Sequence, residues 1–466
     1  MSRGPFPAAA RQLRRLPLER LVQTAGGWLP MAAPPAGRLR PYTPWTTFWL
    51  FLAQILNGPG VCRDAVCMAQ AWVGAPPDQP LSSNTSAYCQ ARARLALGAL
   101  RRAAGHLVSQ LQAPEPGPAW MGRVVRVLDG SSLSMPDTAA NQSRYPQPAT
   151  QKHGCGFPVM RLAALFCLAT GTLLGLAHGA LSVPERALGR RLWRLLEKGC
   201  VLLADRGFCG FADYWALGQR GVDAVTRLHA RRGPGARKIK TLAKGGWLVE
   251  WKKTGAAPKW MTPKQWRALP DTLPVRHIHV RAVIKGLRTQ AFTLATTILD
   301  AKAYPAAAFA DLYLRRWRTE LFLRDIKITL GMDRLRCQSP AMIHKELLVH
   351  LASELARRIA YNLVRAVMLQ AALRYHADPL RLSLTGSRAA IRVWAPRLAV
   401  PGSQRRRSQV LDALLWRIAH DQVPHRPNRA EPRARKRRPK NYPLLNKPRN
   451  KYKAIQHRNR YRKELS

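Results

Sequence analysis

The chain has 466 residues, long enough for a large core and for roughly two to four domains. Its 77 Lys and Arg against 25 Asp and Glu give a formal charge of +52, which implies a polyanionic partner ahead of a generally basic protein with none, because self-repulsion of that size has to be neutralised. Nucleic acid fits that role ahead of an anionic membrane. The eight cysteines form no C-x2-C pairs and several sit in apolar runs, so they read as buried free thiols. The arginine-rich start has no apolar signal core, and the apolar run Trp45 to Leu56 is shorter than the roughly 20 residues that span a bilayer. A cytoplasmic or nucleoid-bound protein is expected.

The first 40 residues are rich in Pro, Ala and Arg, and Pro30, Pro34, Pro35 and Pro41 discourage long regular elements. Thr43-Pro44 then reads as a cap followed by proline at the first helical position. Trp45, Phe48, Trp49, Leu52 and Ile55 recur at helical spacing until Gly58-Pro59-Gly60. A second helix is expected over Cys62–Val73 and a third over Ser86–Gln112, with Leu100, Leu107 and Leu111 on its buried face. Residues 1–112 thus form an N-terminal helical domain, ending at the Pro-rich linker 113–118. Its arginines serve a polyanion or are merely solvated; the residues leave both open.

Beyond the linker the period changes. Arg123 to Leu128 is a β-rich run that delivers Asp129 at its end and is expected to turn at Gly130. Val159–Leu168 and Thr172–His178 read as a hairpin around Gly171, and Pro184–Gly199 as a helix with Leu188, Leu192, Leu195 and Leu196 as its stripe. Val201-Leu202-Leu203-Ala204 is the continuous apolar run of a strand buried on both faces, and it ends in Asp205-Arg206-Gly207-Phe208. Another strand covers Val222–Arg227. Residues 228–300 are β-rich, with basic and aromatic side chains interleaved around Trp247, Trp251, Trp260 and Trp266.

A later helix carries Tyr313, Arg316, Glu320 and Lys327, whose offsets project within roughly 60° of one another at about 100° per residue. Such a stripe is either a salt-bridged surface or one wall of a site for phosphates and metal. A long helix from Pro340 to about Tyr375 buttresses it. From Arg426 to Lys463 the chain has sixteen Lys and Arg against the single acid Glu431, a tail expected to be unfolded until it meets phosphate.

The pattern Y-x2-R-x3-E-x6-K at Tyr313, Arg316, Glu320 and Lys327, with Trp317 inside it, resembles the signature of the insertion-sequence-four family of DDE transposases. Asp129-Gly130-Ser131, Pro136-Asp137-Thr138, Gln151-x2-Gly154-x2-Phe157-Pro158, Asp205-Arg206-Gly207-Phe208 and part of the tail are similar to that family as well. The resemblance implies an α/β protein with an RNase H-like catalytic domain, divided between residues 119–227 and 301–400 by a β-rich insertion at 228–300. The segment 401–466 is the basic tail. The long gap between Asp205 and Glu320 fits an insertion.

It further implies Asp129, Asp205 and Glu320 as catalytic carboxylates that hold two Mg²⁺ ions, for which Mn²⁺ can substitute, with Tyr313, Arg316, Trp317 and Lys327 on DNA. Phe292 stands about where a relative has a base-stacking Trp. The implied activity is cleavage at the terminal inverted repeats of an insertion sequence and strand transfer into target DNA, by a dimeric synaptic complex on double-stranded DNA. Residues 1–112 are then a DNA-end-binding domain. A domesticated DNA-binding protein without catalysis, or a nuclease that never rejoins strands, is the alternative. No competing constellation stands out: His153 and His178 lack a nucleophile partner, and no G-x4-G-K-[ST] loop occurs.

Overall fold

The structure, a computed structural model, describes residues 42–56, 62–73, 82–95, 120–230, 237–243, 246–282, 290–329, 353–399, 403–423 and 444–452. Among the described residues three helices come first: α1 (Pro44–Leu56), α2 (Cys62–Val73) and α3 (Ser86–Arg94). The strands are β1 (Val125–Ser134), β2 (Val159–Cys167), β3 (Leu173–Ala180), β4 (Val201–Ala204), β5 (Asp223–Arg227), β6 (Arg237–Ala243), β7 (Gly246–Lys252), β8 (Thr272–Ala282) and β9 (Gln290–Thr296). Between and after them lie α4 (Ala139–Arg144), α5 (Glu185–Arg190), α6 (Phe211–Gln219), α7 (Pro263–Arg267), α8 (Ala306–Arg324), α9 (Ser353–Arg374), α10 (Leu384–Ala399) and α11 (Gln404–His420).

The nine strands among the described residues form one sheet in the order β3-β2-β1-β4-β5-β9-β8-β7-β6. β1, β4 and β5 run parallel, and the remaining pairs are antiparallel. β4 is buried along its whole length, as its unbroken apolar run requires of a strand covered on both faces. On one face, Val125, Val127, Val201, Leu203 and Val225 pack with Phe309 and Leu312 of α8. On the other, Leu128, Leu202, Ala204 and Ala224 pack with Leu188, Phe208, Phe211 and Tyr214. The period of two along each strand decides which side chains meet α8.

The strands between β5 and α8 continue the sheet, since β9 pairs with β5 from Val225↔Thr296 to Arg227↔Leu294. Their aromatics are largely absorbed in packing. Trp251 is buried and donates to His277 Nε2 at 2.9 Å, and Trp260 lies edge-on to Trp193 under the Arg190 guanidinium.

α9 packs against α10, α11, α1 and β3. Phe48 and Phe51 of α1 and Leu95 share one buried cluster with Phe166, Leu173, Leu363, Val367 and Leu414. Among the described residues no helix is long and apolar enough to cross a membrane.

Three local expectations of secondary structure change. β1 does not turn at Gly130 but continues to Ser134, because β2 pairs with it as far as Ser134↔Val159. The exposed Glu185 side chain ends beside Gly130, where a Cβ would stand 2.4 Å from its carboxyl carbon. The helix expected over 184–199 is α5 followed by a 3-10 turn at Trp193–Leu195, and α3 stops at Leu95, whose ψ of 124° is extended; residues 96–112 lie outside the described ones.

The described cysteines divide: Cys155, Cys167, Cys200 and Cys209 are buried, Cys62 and Cys89 are half-buried, and Cys67 is exposed, while Cys337 lies outside the described residues. Within the tail, residues 444–452 are folded against the loop after β1: Leu445 N–H donates to Cys155 O and Arg449 N–H to Gly154 O.

Candidate active site

The parallel register of β1 and β4 runs from Val125↔Val201 to Leu128↔Ala204. The next residue on each chain is an aspartate, Asp129 on β1 and Asp205 just after β4. Val125 and Val127 alternate with Leu128, and Val201 and Leu203 alternate with Leu202, so both acids follow positions that face α8. Neighbouring strands lie roughly 4.8 Å apart, which makes the two carboxylates side-by-side neighbours. The register of β4 with β5 ends at Ala204↔Thr226, so Arg227 is the third residue in that row.

α8 supplies the opposite wall. Phe309, Leu312 and Tyr313 anchor it to the sheet. The Tyr313 hydroxyl lies 3.5 Å from Asp205 Oδ1, and one turn on Arg316 Nη1 lies 3.7 Å from Asp129 Oδ2. The Arg316 guanidinium also covers the Tyr313 ring at 5.4 Å. Burial pushes the Tyr313 phenol up to about 12, with Arg316 pulling the other way, so it remains a donor at neutral pH.

After Arg324 the helix widens into a π-turn at Asp325–Thr329, the kind of irregularity often found at functional positions. From it, Lys327 Nζ donates to Ser131 Oγ at 3.1 Å and to Ser132 O at 3.0 Å. Ser131 follows Asp129 by two residues on the same strand face. Three of the four stripe residues therefore meet the rim that carries the aspartates. Glu320 occupies the backbone of α8 between Arg316 and Lys327. The side chains of Glu320 and Trp317 lie outside the described ones.

Two contributors were not singled out from the sequence as site residues. Arg227 stacks its guanidinium on Phe292 at 5.5 Å, and the Phe292 ring lies 5.1 Å from Tyr313. Phe292 is 9% exposed, so it backs Tyr313. The signal for Arg227 is its place as the long polar side chain that ends the third parallel strand. Arg365, 4% exposed, sits 3.9 Å from Asp325 Oδ2 and donates to the Tyr361 hydroxyl, whose own proton goes to Gly171 O. It ties the π-turn to α9 and to the β2–β3 turn.

Asp129 and Asp205 present hard, anionic oxygens on one face, half-buried beneath a cationic helix, and this donor set suits Mg²⁺. Among the described residues no third acid, His or Cys joins them within metal-binding reach. The pair can hold part of a divalent-metal shell, with cations and a phenol placed to contact a phosphate.

The family model described as a transposase DDE domain matches residues 120–353, half of the chain. The transposase InsG for insertion sequence element IS4 from Escherichia coli (strain K12) is 29% identical over 369 residues, covering 78% of this chain and 78% of that protein. The putative transposase y4zB of Sinorhizobium fredii (strain NBRC 101917 / NGR234) is 26% identical over 190 residues, 40% of this chain and 49% of that one. The cryo-EM structure of a piggyBac transposase synaptic complex with hairpin DNA overlaps at a TM-score of 0.36 and 9% identity, covering 87% of this chain and 84% of that one, an overlap too loose to bear on the fold. With the domain match spanning β1 to the start of α9 and the insertion-sequence relative covering most of the molecule, the chain belongs to the DDE transposases of the insertion-sequence-four family.

Proposed function

We propose that the protein cuts DNA at the terminal inverted repeats of its own insertion sequence and joins the freed ends to target DNA, using Asp129, Asp205 and Glu320. The observation that carries this reading is the shared register of β1 and β4, which sets Asp129 beside Asp205 under Tyr313, Arg316 and Lys327. The order β3-β2-β1-β4-β5, with three parallel strands at its centre, supports an RNase H-like catalytic domain extended by the strands from β6 to β9. Residues 1–112 serve as its DNA-end-binding part, and two copies work together on paired ends.

Two Mg²⁺ ions held by Asp129, Asp205 and Glu320 would supply activation of the attacking water or 3′-hydroxyl and stabilisation of the leaving oxygen. The other residues bind and orient. Arg316 has the planar fork that suits a phosphate, and its contact with Asp129 keeps that fork at the carboxylate rim. Lys327, tethered by Ser131 and Ser132, places a compact positive charge along the same strand. Tyr313 offers its hydroxyl beside Asp205 to a backbone oxygen. Trp317 adds an aromatic contact to the DNA.

The test is a cleavage and joining assay with purified protein, Mg²⁺ or Mn²⁺, and DNA carrying the element's ends. Nicked and joined products are expected from the wild type and none from Asp205→Ala. Equal activity of the two proteins overturns the assignment, and cleavage without joined products leaves a nuclease.

A further inference from the structure

The motifs Pro136-Asp137-Thr138 and Gln151-x2-Gly154-x2-Phe157 take no part in the site just described, yet they hold something. Arg449 Nε donates to Asp137 Oδ2 at 2.9 Å, and its Nη2 donates to Gly156 O. Gln142 braces the same two acceptors, at 2.8 Å to Asp137 Oδ1 and 2.9 Å to Gly156 O. With the two backbone bonds from Leu445 and Arg449, these contacts fasten Leu444–Tyr452 as a strap across the 137–156 loop. Gly154 permits the fit: a Cβ there would meet Pro448 Cβ at 3.1 Å, and its φ of +78° disfavours other residues.

The charges on this strap divide into two roles. Arg449 is turned inward and paired with Asp137, the sole acid within residues 137–156 and 444–452. Lys447 and Lys451, two positions to either side, are exposed, as are Lys152 and Arg144 on the loop beneath. The Lys447 ammonium rides over the exposed Tyr452 ring at 4.8 Å. The surface is therefore cationic without compensation from either of its own segments. The sequence flanking the strap adds eight Lys and Arg in 424–443 and five in 453–466.

Its place along the sheet matters. Asp137 lies just past the end of β1 at Ser134, and Ser134 stands five residues beyond Asp129 on that strand. At about 3.3 Å per residue this is about 17 Å. Duplex DNA has a helical repeat of about 34 Å and two strands, so one face of a duplex at the site presents backbone again, from one strand or the other, after about half that repeat, about 17 Å on average.

We propose that the strap, with Lys447, Lys451 and Lys152, is a contact surface for the phosphate backbone of duplex DNA flanking the cut, and that Arg449 and Asp137 are its positioning residues. The proposal rests on the transposase reading for its partner. Its test measures binding of the full-length protein to a mixed-sequence duplex over a range of salt, with no cleavage involved. Lys447→Ala/Lys451→Ala is expected to lower the slope of log Kobs against log[salt] by about 0.9 for each phosphate that the variant no longer neutralises, with the melting temperature unchanged. Arg449→Asp is expected to lower the slope similarly and to expose 444–452 to protease, and Asp137→Arg in the same chain to restore both.

An unchanged slope in the double lysine variant, beside a steep wild-type slope, overturns the strap as a DNA surface and leaves the active-site reading standing. A wild type that binds duplex with no salt dependence overturns both.

Discussion

The Tyr313 hydroxyl lies 3.5 Å from Asp205 Oδ1 while its ring is held between Phe292 and the Arg316 guanidinium, at 5.1 and 5.4 Å. Ring and hydroxyl therefore separate cleanly by mutation. Tyr313→Phe keeps the packing and is expected to change folding stability by less than about 1.5 kcal/mol. If the hydroxyl holds a backbone oxygen in the reacting complex, its loss slows single-turnover cleavage about tenfold, equivalent to about 1.4 kcal/mol. Thermal melts and a cleavage time course on the same preparation check both halves.

Alkaline stability follows from the same burial. Tyr313 and Tyr361 are pushed up to about 12 and Tyr88 is also raised, in each case chiefly by burial. A folded value above the unfolded one of about 10 means that the stabilisation is complete below pH 10 and is lost as pH rises from about 10 towards 12. Urea midpoints at pH 8.5 and pH 11 should differ sharply, and Tyr361→Phe should flatten the fall. Equal midpoints would falsify the burial of these phenols.

On the acid side the group to watch is His277, 3% exposed and accepting the Trp251 N–H at 2.9 Å. Burial pushes it down to about 4. Its stabilisation is complete above the unfolded value of about 6.5 and is lost as pH falls from there towards 4, by on the order of 3 kcal/mol. His277→Gln, which keeps an acceptor for Trp251, should show a shallower loss between pH 6.5 and 4.5 in denaturant titrations.

Arg365 and Asp325 are coupled across 3.9 Å with both side chains largely buried. Arg365→Met strands the carboxylate and is expected to cost about 3–5 kcal/mol, whereas Arg365→Met with Asp325→Leu should cost less than the single change. Because Lys327 follows Asp325 by two residues, the single variant should also weaken cleavage beyond its loss of folded protein. Cleavage normalised to the folded fraction tests this.

Two glycines should respond in opposite ways. The atoms nearest a Cβ on Gly130 are the end of the exposed Glu185 side chain, which can rotate away, so Gly130→Ala should leave stability within about 0.5 kcal/mol. Gly171 has a φ of +70° and Phe322 and Arg365 within 3.2 Å of the added carbon, so Gly171→Ala should cost about 1–3 kcal/mol. Calorimetry of the two variants ranks them.

The sequence made the parallel strands legible because Val201–Ala204 is apolar without interruption, and the hairpin because Gly171 separates two apolar runs. It made Tyr313, Arg316 and Lys327 legible as one stripe. What it hid has a common cause. Asp-Gly favours a turn locally, but β2 supplies partners for Gly130 to Ser134 from about thirty residues away, and tertiary pairing overrides the local preference. The docking of Arg449 on Asp137 spans 312 residues, and no local pattern announces it. Arg227 is defined only by the register of β4 with β5.

The register of β1 with β4 also has a consequence along the chain. Two acids are brought side by side by Leu128↔Ala204, and the cation that meets Asp129, Arg316, lies 111 residues further along the chain than Asp205. Synthesis proceeds from the N-terminus, so a nascent or truncated chain ending before α8 carries both acids and none of Tyr313, Arg316 or Lys327. Such fragments hold an incomplete, self-repelling site.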